Sequence, residues 1–336
     1  MHIIITVLIG AAGGLLAHVS GFPAGLLSGA MAAVAVAALA GVPVVAPDWL
    51  RRVAFIVMGA TLGASVSQET LASLPTWPVS LLGLAVSVVI LMVVAPWFLM
   101  TVYRLDRKTA VMASVPGAFS FVMAFADDIG ADVRRVAILQ TLRVGALFVV
   151  VPAVIGLTGA GGFAVQPRGA DLALPLLAVL LVAAFAGGLV AARLRFGAPE
   201  FVGAMLVGVI LSGGGVIEGS VPVWLSWPAF IGTGVVIGTR FAGIDRAFLR
   251  ESVIAGLALF FVSAAITAAA AFVVAAGLSQ PFGKIWLAYA PGGLDTMAVL
   301  AFSLGYDPAF VAGHQLLRFL GLSMVLPLVL RRTLAG

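Results

Sequence analysis

Residues 116–152 and 291–327 superpose without a gap at an offset of 175 and are identical at 13 of 37 positions, where so biased a composition would give about four by chance. Both copies carry the same phrase: a Pro-Gly pair (Pro116-Gly117, Pro291-Gly292), an Asp (Asp132, Asp307), a Gln-x-x-Arg (Gln140 to Arg143, Gln315 to Arg318) and a Pro (Pro152, Pro327). The offset also pairs Trp49-Leu50 with Trp224-Leu225 and Gly59 and Gly63 with Gly234 and Gly238. One residue less pairs Gly13-Gly14-Leu15 with Gly187-Gly188-Leu189. A duplication this long requires one structural solution used twice. It divides the chain into a first repeat over 1–157, a linker over 158–171 and a second repeat over 172–336.

The medium of that solution is lipid. The chain is 62% hydrophobic and 9% charged, against roughly 25% charged in soluble domains, so it cannot cover itself with a surface that suits water. Several apolar runs also reach the roughly 17 to 25 residues that cross hydrocarbon. The net charge of +5 comes from basic residues set between these runs, where they report topology rather than a nucleic-acid-binding stripe. Cysteine is absent, which excludes disulfides, thiolate metal sites and thiol nucleophiles. Residues 3–18 follow no basic n-region and precede no small-residue cleavage site, so they read as a retained membrane helix.

Apolar elements are expected at 3–18, 22–40, 50–66, 77–102, 108–126 and 133–157, then at 173–192, 197–216, 226–240, 251–278, 284–302 and 309–330. The fifth of each set is broken at its centre by Pro116-Gly117 or by Pro291-Gly292-Gly293, leaving pieces of about ten residues that do not cross a core of about 30 Å. If these elements nevertheless cross, each half has six spans and the halves are parallel. If they turn back, each has five and the halves are inverted. Turning back puts fourteen of sixteen loop-borne Lys and Arg on one face, whereas crossing divides them nine to seven, and cytoplasmic loops carry the excess of positive charge. The expected fold is an all-α polytopic membrane protein of two inverted repeats, each with five transmembrane helices and a re-entrant hairpin, with both termini in the cytoplasm.

Hairpins entering from opposite faces bring their Pro-Gly tips together near the bilayer midplane, where irregular backbone is tolerated only beside protein or a water-filled cavity. Short helices begin just past the tips and point unpaired N–H groups at that cavity. The candidate binding residues are Pro116, Gly117, Ser120, Gln140 and Arg143 from the first half. From the second come Pro291, Gly292, Gly293, Asp295, Thr296, His314, Gln315 and Arg318. A cation at mid-depth costs at least about 2.5 kcal/mol on insertion scales, so Arg143 and Arg318 must face the interior with a partner. Two readings stand. The guanidinium groups tie the hairpins down by bonding tip carbonyls or Asp295, or they hold an anionic ligand bidentately, as a carboxylate would be held. Asp295 suits a pair with Arg318, a coupling proton or a sodium ion, while His314 reads as a packed, hydrogen-bonded residue. The glycines at 59, 63, 234 and 238 read as close helix packing.

The run Pro-Gly-Gly-Leu-Asp-Thr-Met-Ala at 291–298, with Gly305, Asp307 and His314-Gln315-Leu316-Leu317-Arg318, closely resembles the AbrB family of bacterial membrane proteins. That family is similar in turn to transporters with inverted five-helix repeats, among them sodium/proton antiporters and bile acid, citrate and glutamate symporters. The resemblance implies a substrate site at the interface of broken elements, a rocking or elevator-like motion and a homodimer. Members also carry the labels ammonia monooxygenase and regulator of gene expression, but three well-separated His give no evident copper or iron cluster, and no soluble DNA-binding segment stands out. The first-half tip departs from the pattern by lacking a second Gly and an acidic residue matching Asp295.

The expected function is therefore secondary transport of a small organic anion, of carboxylate type, across the bacterial inner membrane by alternating access. No enzymatic reaction, metal or cofactor is expected, and Na+ or H+ is the candidate coupling ion. The alternative is a membrane-embedded regulator that transports nothing.

Overall fold

Without water to bond stray N–H and C=O groups, apolar runs of this length satisfy their backbone as helices. The computed structural model describes residues 2–66, 74–117, 119–157, 170–194, 196, 198–244 and 246–334, apart from the side chains at 76, 120, 121, 124, 246 and 326–334. Most of the linker expected at 158–171 lies outside the described residues. Among the described residues the first repeat supplies α1 (His2–Val19), α2 (Gly25–Leu39), α3 (Asp48–Ala64), α4 (Trp77–Val102), α5 (Arg107–Ser114), α6 (Phe119–Asp128) and α7 (Val133–Leu157). The second supplies α8 (Leu174–Arg193), α9 (Pro199–Gly213), α10 (Val223–Gly238), α11 (Arg246–Leu278), α12 (Phe282–Tyr289), α13 (Leu294–Ser303) and α14 (Pro308–Leu334). The bounds of α2 recur in α9 at an offset of 174, and those of α5 and α6 recur in α12 and α13 at 175. The duplication is thus present in the helices as well as in the identities. Extended structure among the described residues is confined to an isolated bridge between Asp171 and Ser220.

Helices α1, α4, α7 and α8, together with residues Ala247–Leu278 of α11, are long and apolar enough to cross a membrane. The chain is a helical membrane protein by this measure, and α4 shows how. Its outward face carries Val79, Leu82, Val86, Val89, Val93 and Trp97, each more than half exposed, at helical spacing on one stripe. Its inward face buries Ser80, Ser87 and Ala95 completely. Large apolar groups outside, with the two serines buried inside beside Leu84, Leu91 and Leu99, is the arrangement that lipid favours.

The chain forms two compact units: one of Met1–Pro75, Phe148–Ile244 and Ala298–Ala309, the other of Thr76–Leu147, Asp245–Met297 and Phe310–Gly336. In the first unit α1 packs on α2 and α8 on α9, while α3 crosses to α9 and α10 crosses to α2. Glycine sets these distances. A methyl group at Gly234 would lie 2.5 Å from the Leu27 carbonyl and one at Gly238 2.7 Å from that of Met31. Gly59 stands in the same relation to Phe201, and Gly63 to Met205. The contacts are therefore reciprocal, with each half lending two glycines to a helix of the other.

The second unit holds the broken elements. In it α4 packs on α5 and α11 on α12, again in equivalent pairs. Asp106 caps the start of α5 by accepting from the Thr109 N–H at 3.0 Å. Burial pushes the Asp106 carboxyl up, but hydrogen bonds from Thr109 and Lys108 outweigh it, so the group ends below its usual pKa and stays charged at a helix N-terminus.

The repeated Gly and Asp beyond the tips are turn chemistry. Gly130 and Gly305 have φ of +70° and +76°, the left-handed conformation that ends a helix at little cost only with glycine. Their turns close by Ala131 N–H to the Ala126 carbonyl and Tyr306 N–H to the Ala301 carbonyl, both at 2.9 Å. Asp132 then accepts from the Arg135 N–H and Asp307 from the Ala309 N–H, each at 3.0 Å, capping the first turns of α7 and α14. Three of the repeated identities, Ala126/Ala301, Gly130/Gly305 and Asp132/Asp307, take part in this one connection.

Candidate functional site

Each break follows from proline. The residue before a proline is pushed out of the α region, and Val115 (φ −56°, ψ 122°) and Ala290 (φ −53°, ψ 138°) adopt extended backbone ahead of Pro116 and Pro291. Helices α5 and α12 therefore stop at Ser114 and Tyr289, and their last carbonyls are left without N–H partners from the next turn. Pro116, Pro291 and Gly292 are buried, so water does not serve as the general remedy. Gly117 turns the first tip with φ +78°.

Arginine and glutamine supply the missing donors. Arg143 donates Nη1 to the carbonyls of Ala113 (3.3 Å) and Ser114 (3.2 Å) and Nη2 to that of Val115 (2.9 Å). Arg318 donates Nη1 to Tyr289 (3.2 Å) and Ala290 (2.7 Å) and Nη2 to Gly292 (2.8 Å), with a further bond from Nη2 to the side-chain oxygen of Gln315. Gln140 donates to the Met112 carbonyl at 3.0 Å. Gln315 reaches those of Leu287 (3.0 Å), Ala288 (3.2 Å) and Ala290 (3.0 Å). The repeated Gln-x-x-Arg is thus a side-chain cap for a broken helix. Its charge also sits at the negative end of that helix's dipole. The guanidinium groups thus serve two helix C-termini, and the negative ends of those dipoles offset part of their charge.

The two tips meet. A Cβ at Gly117 would stand 3.2 Å from the Gly292 carbonyl and 3.4 Å from Nη2 of Arg318, and the charges of Arg143 and Arg318 act on one another. Arg143 is fully buried, with Arg318 6% exposed, and among the described residues Nε of each is a buried N–H without a hydrogen-bond partner. Thr296 is buried and its hydroxyl donates to the Gly293 carbonyl at 2.8 Å, while the Asp295 side chain is 8% exposed. A methyl group at Gly292 would stand 2.6 Å from Cε of Met297, so that side chain would have to shift. The side chain of Ser120 lies outside the described residues.

His314 joins this group through a seam that sequence reasoning did not find. Its Nδ1 donates to the Phe310 carbonyl at 2.8 Å, and its Nε2 shares a hydrogen bond with the Ser80 hydroxyl at 2.7 Å. Tyr289 donates its hydroxyl to the Ser80 carbonyl, Trp77 packs beside Phe310 and His314, and Lys284 lies 4.5 Å over the Phe310 ring. The first repeat carries Leu139 in place of His314 and Ser114 in place of Tyr289. A signal for the seam was present in that difference, since a buried ring with two polar nitrogens needs partners.

Residues 26–333 match the model of the family described as "Transition state regulatory protein AbrB". The chain belongs to the AbrB family. It is 32% identical over 323 residues to a protein of Escherichia coli (strain K12) named "Putative regulator AbrB", covering 92% of this chain and 90% of that relative. It is 27% identical over 358 residues to "Uncharacterized protein YhjN" of Bacillus subtilis (strain 168), covering 95% of this chain and 90% of that one. AbrB-family membership thus extends over the broken elements and both Gln-x-x-Arg sequences.

Proposed function

We propose that this AbrB-family protein is a secondary transporter for a small organic anion of carboxylate type, working by alternating access in the bacterial inner membrane. One observation carries the reading: two buried arginines each close a broken helix, and the tips of those breaks meet at Gly117 and Gly292. Helices α5, α6, α12 and α13 have 8, 10, 8 and 10 residues, or about 12 to 15 Å each, roughly half of a bilayer core. In this reading α5–α6 and α12–α13 are re-entrant hairpins, each repeat has five spans, and the repeats are inverted. Such tips present irregular backbone, fixed cations and helix ends to one midplane cavity, as a transporter's substrate site requires. A homodimer and coupling to Na+ or H+ complete the proposal, and no chemical conversion of the solute is part of it.

The test is uptake into proteoliposomes across a panel of mono- and dicarboxylates. Uptake should be saturable and should fall at least tenfold in Arg143→Gln and Arg318→Gln proteins that still fold; unchanged uptake in both would remove the arginines from the site. The second reading, a membrane-embedded regulator, takes its support from the family description and from the name of the Escherichia coli relative. Specific capture of a partner protein, with no flux of any anion tested, would favour it.

A further inference from the structure

A guanidinium has five N–H donors, and the two arginines do not use theirs equally. Arg318 meets four acceptors through Nη1 and Nη2: the Tyr289, Ala290 and Gly292 carbonyls and the Gln315 side chain. Among the described residues its Nε–H alone is left over. Arg143 meets only three described acceptors, all of them carbonyls, with one on Nη2. Gln140, the equivalent of Gln315, reaches the Met112 carbonyl instead. Arg143 therefore keeps two N–H groups among the described residues, Nε–H and one on Nη2, in a side chain with no exposed surface.

We propose that Nε–H and the remaining Nη2–H of Arg143 form the fork that receives the substrate's carboxylate, while Arg318 is chiefly the clasp of its hairpin and offers one Nε–H as a lesser contact. The inference rests on the transporter reading above and deepens it by assigning unequal roles to equivalent residues. The chemistry follows from planarity. Two neighbouring guanidinium N–H groups match the two oxygens of a carboxylate, a single N–H does not, and a buried donor with no acceptor is costly until a ligand or water meets it. The polarity of the site is consistent, since the residues matching Asp295 and Thr296 in the first repeat are Ser120 and Phe121. The half that holds Arg143 thus lacks the acid.

Lysine separates the two roles, because an ammonium group still donates to tip carbonyls and keeps the charge but has no planar fork. Binding of the carboxylate panel is measured by calorimetry on detergent-solubilised full-length protein, beside the thermal midpoint. Arg143→Lys should weaken binding at least tenfold with little change of midpoint, whereas Arg318→Lys should lower the midpoint and weaken binding less than threefold. Equal losses, or a greater loss in Arg318→Lys, overturn the proposal. Should Arg143→Lys not fold, Arg318→Lys decides by the same threshold. For unmutated protein labelled with nitrogen-15 in arginine, added carboxylate should shift a buried Nε–H resonance, and no shift also overturns the fork. Binding without uptake in vesicles leaves the fork standing and removes transport. Undiminished binding and uptake in Arg143→Lys removes the fork and leaves transport.

Discussion

At the scale of single residues, the repeated polar positions divide by what they touch. Pro116 and Pro291 create unmet carbonyls, and Gln and Arg one helix away meet them, so that proline and its remedy recur together at a fixed distance along the chain. The remedy is not symmetric: Gln315 serves three carbonyls and Arg318, whereas Gln140 serves one carbonyl. A buried polar group left without its partner costs about 1 to 3 kcal/mol. Gln315→Leu should therefore lower the thermal midpoint in detergent more than Gln140→Leu does, and the reverse order would show that the glutamines do not act as caps. The arginines were legible as buried and partnered from their depth in an apolar run. Bonding to carbonyls at the broken tips was one of the two readings open, but which carbonyls was not legible, because no local pattern states which backbone a side chain 25 to 30 residues away will reach.

At the scale of elements, the helix ends were legible because they are local chemistry. Pro after an extended residue ends α5 and α12, left-handed Gly ends α6 and α13, and Asp starts α7 and α14. The expected elements at 77–102 and 133–157 coincide with α4 and α7, and those at 108–126 and 284–302 are each two helices about a break. Helix partners were not legible in the same way. The glycines of α3 and α10 read as close packing, but only the structure shows that α3 lies on α9 and α10 on α2. Since those contacts are reciprocal, Gly63→Val and Gly238→Val should destabilise alike, by about 1 to 3 kcal/mol each as overpacking of a close contact. Chemical denaturation of each variant measures this, and a large cost at one site with none at the other would show that the two crossings are not equivalent.

At the scale of the whole molecule, the proposed inversion of the repeats makes a prediction about sides. The chain has no cysteine, so single cysteines report without background. Gly130 and Gly305 would be natural positions, but their left-handed backbone disfavours a side chain. Asp128 and Ser303 are equivalent residues that end α6 and α13, and Asp128 is exposed while Ser303 is partly so. Asp128→Cys and Ser303→Cys should react with an impermeant thiol reagent from opposite faces of the membrane. Labelling of both from one face would make the halves parallel and remove the opposed hairpins.

By itself the sequence determined the duplication, the lipid environment, the helices and the two breaks. Each of these is set within a few residues, by the solvation of side chains, by proline's missing N–H and by glycine's free φ. Only the tertiary structure decided that the tips touch at Gly117 and Gly292, that the guanidinium groups close the ends of α5 and α12, and that His314 completes a seam with Ser80. Those are pairings between groups far apart in the chain, and a buried donor takes whichever acceptor the packing of the whole brings within about 3 Å.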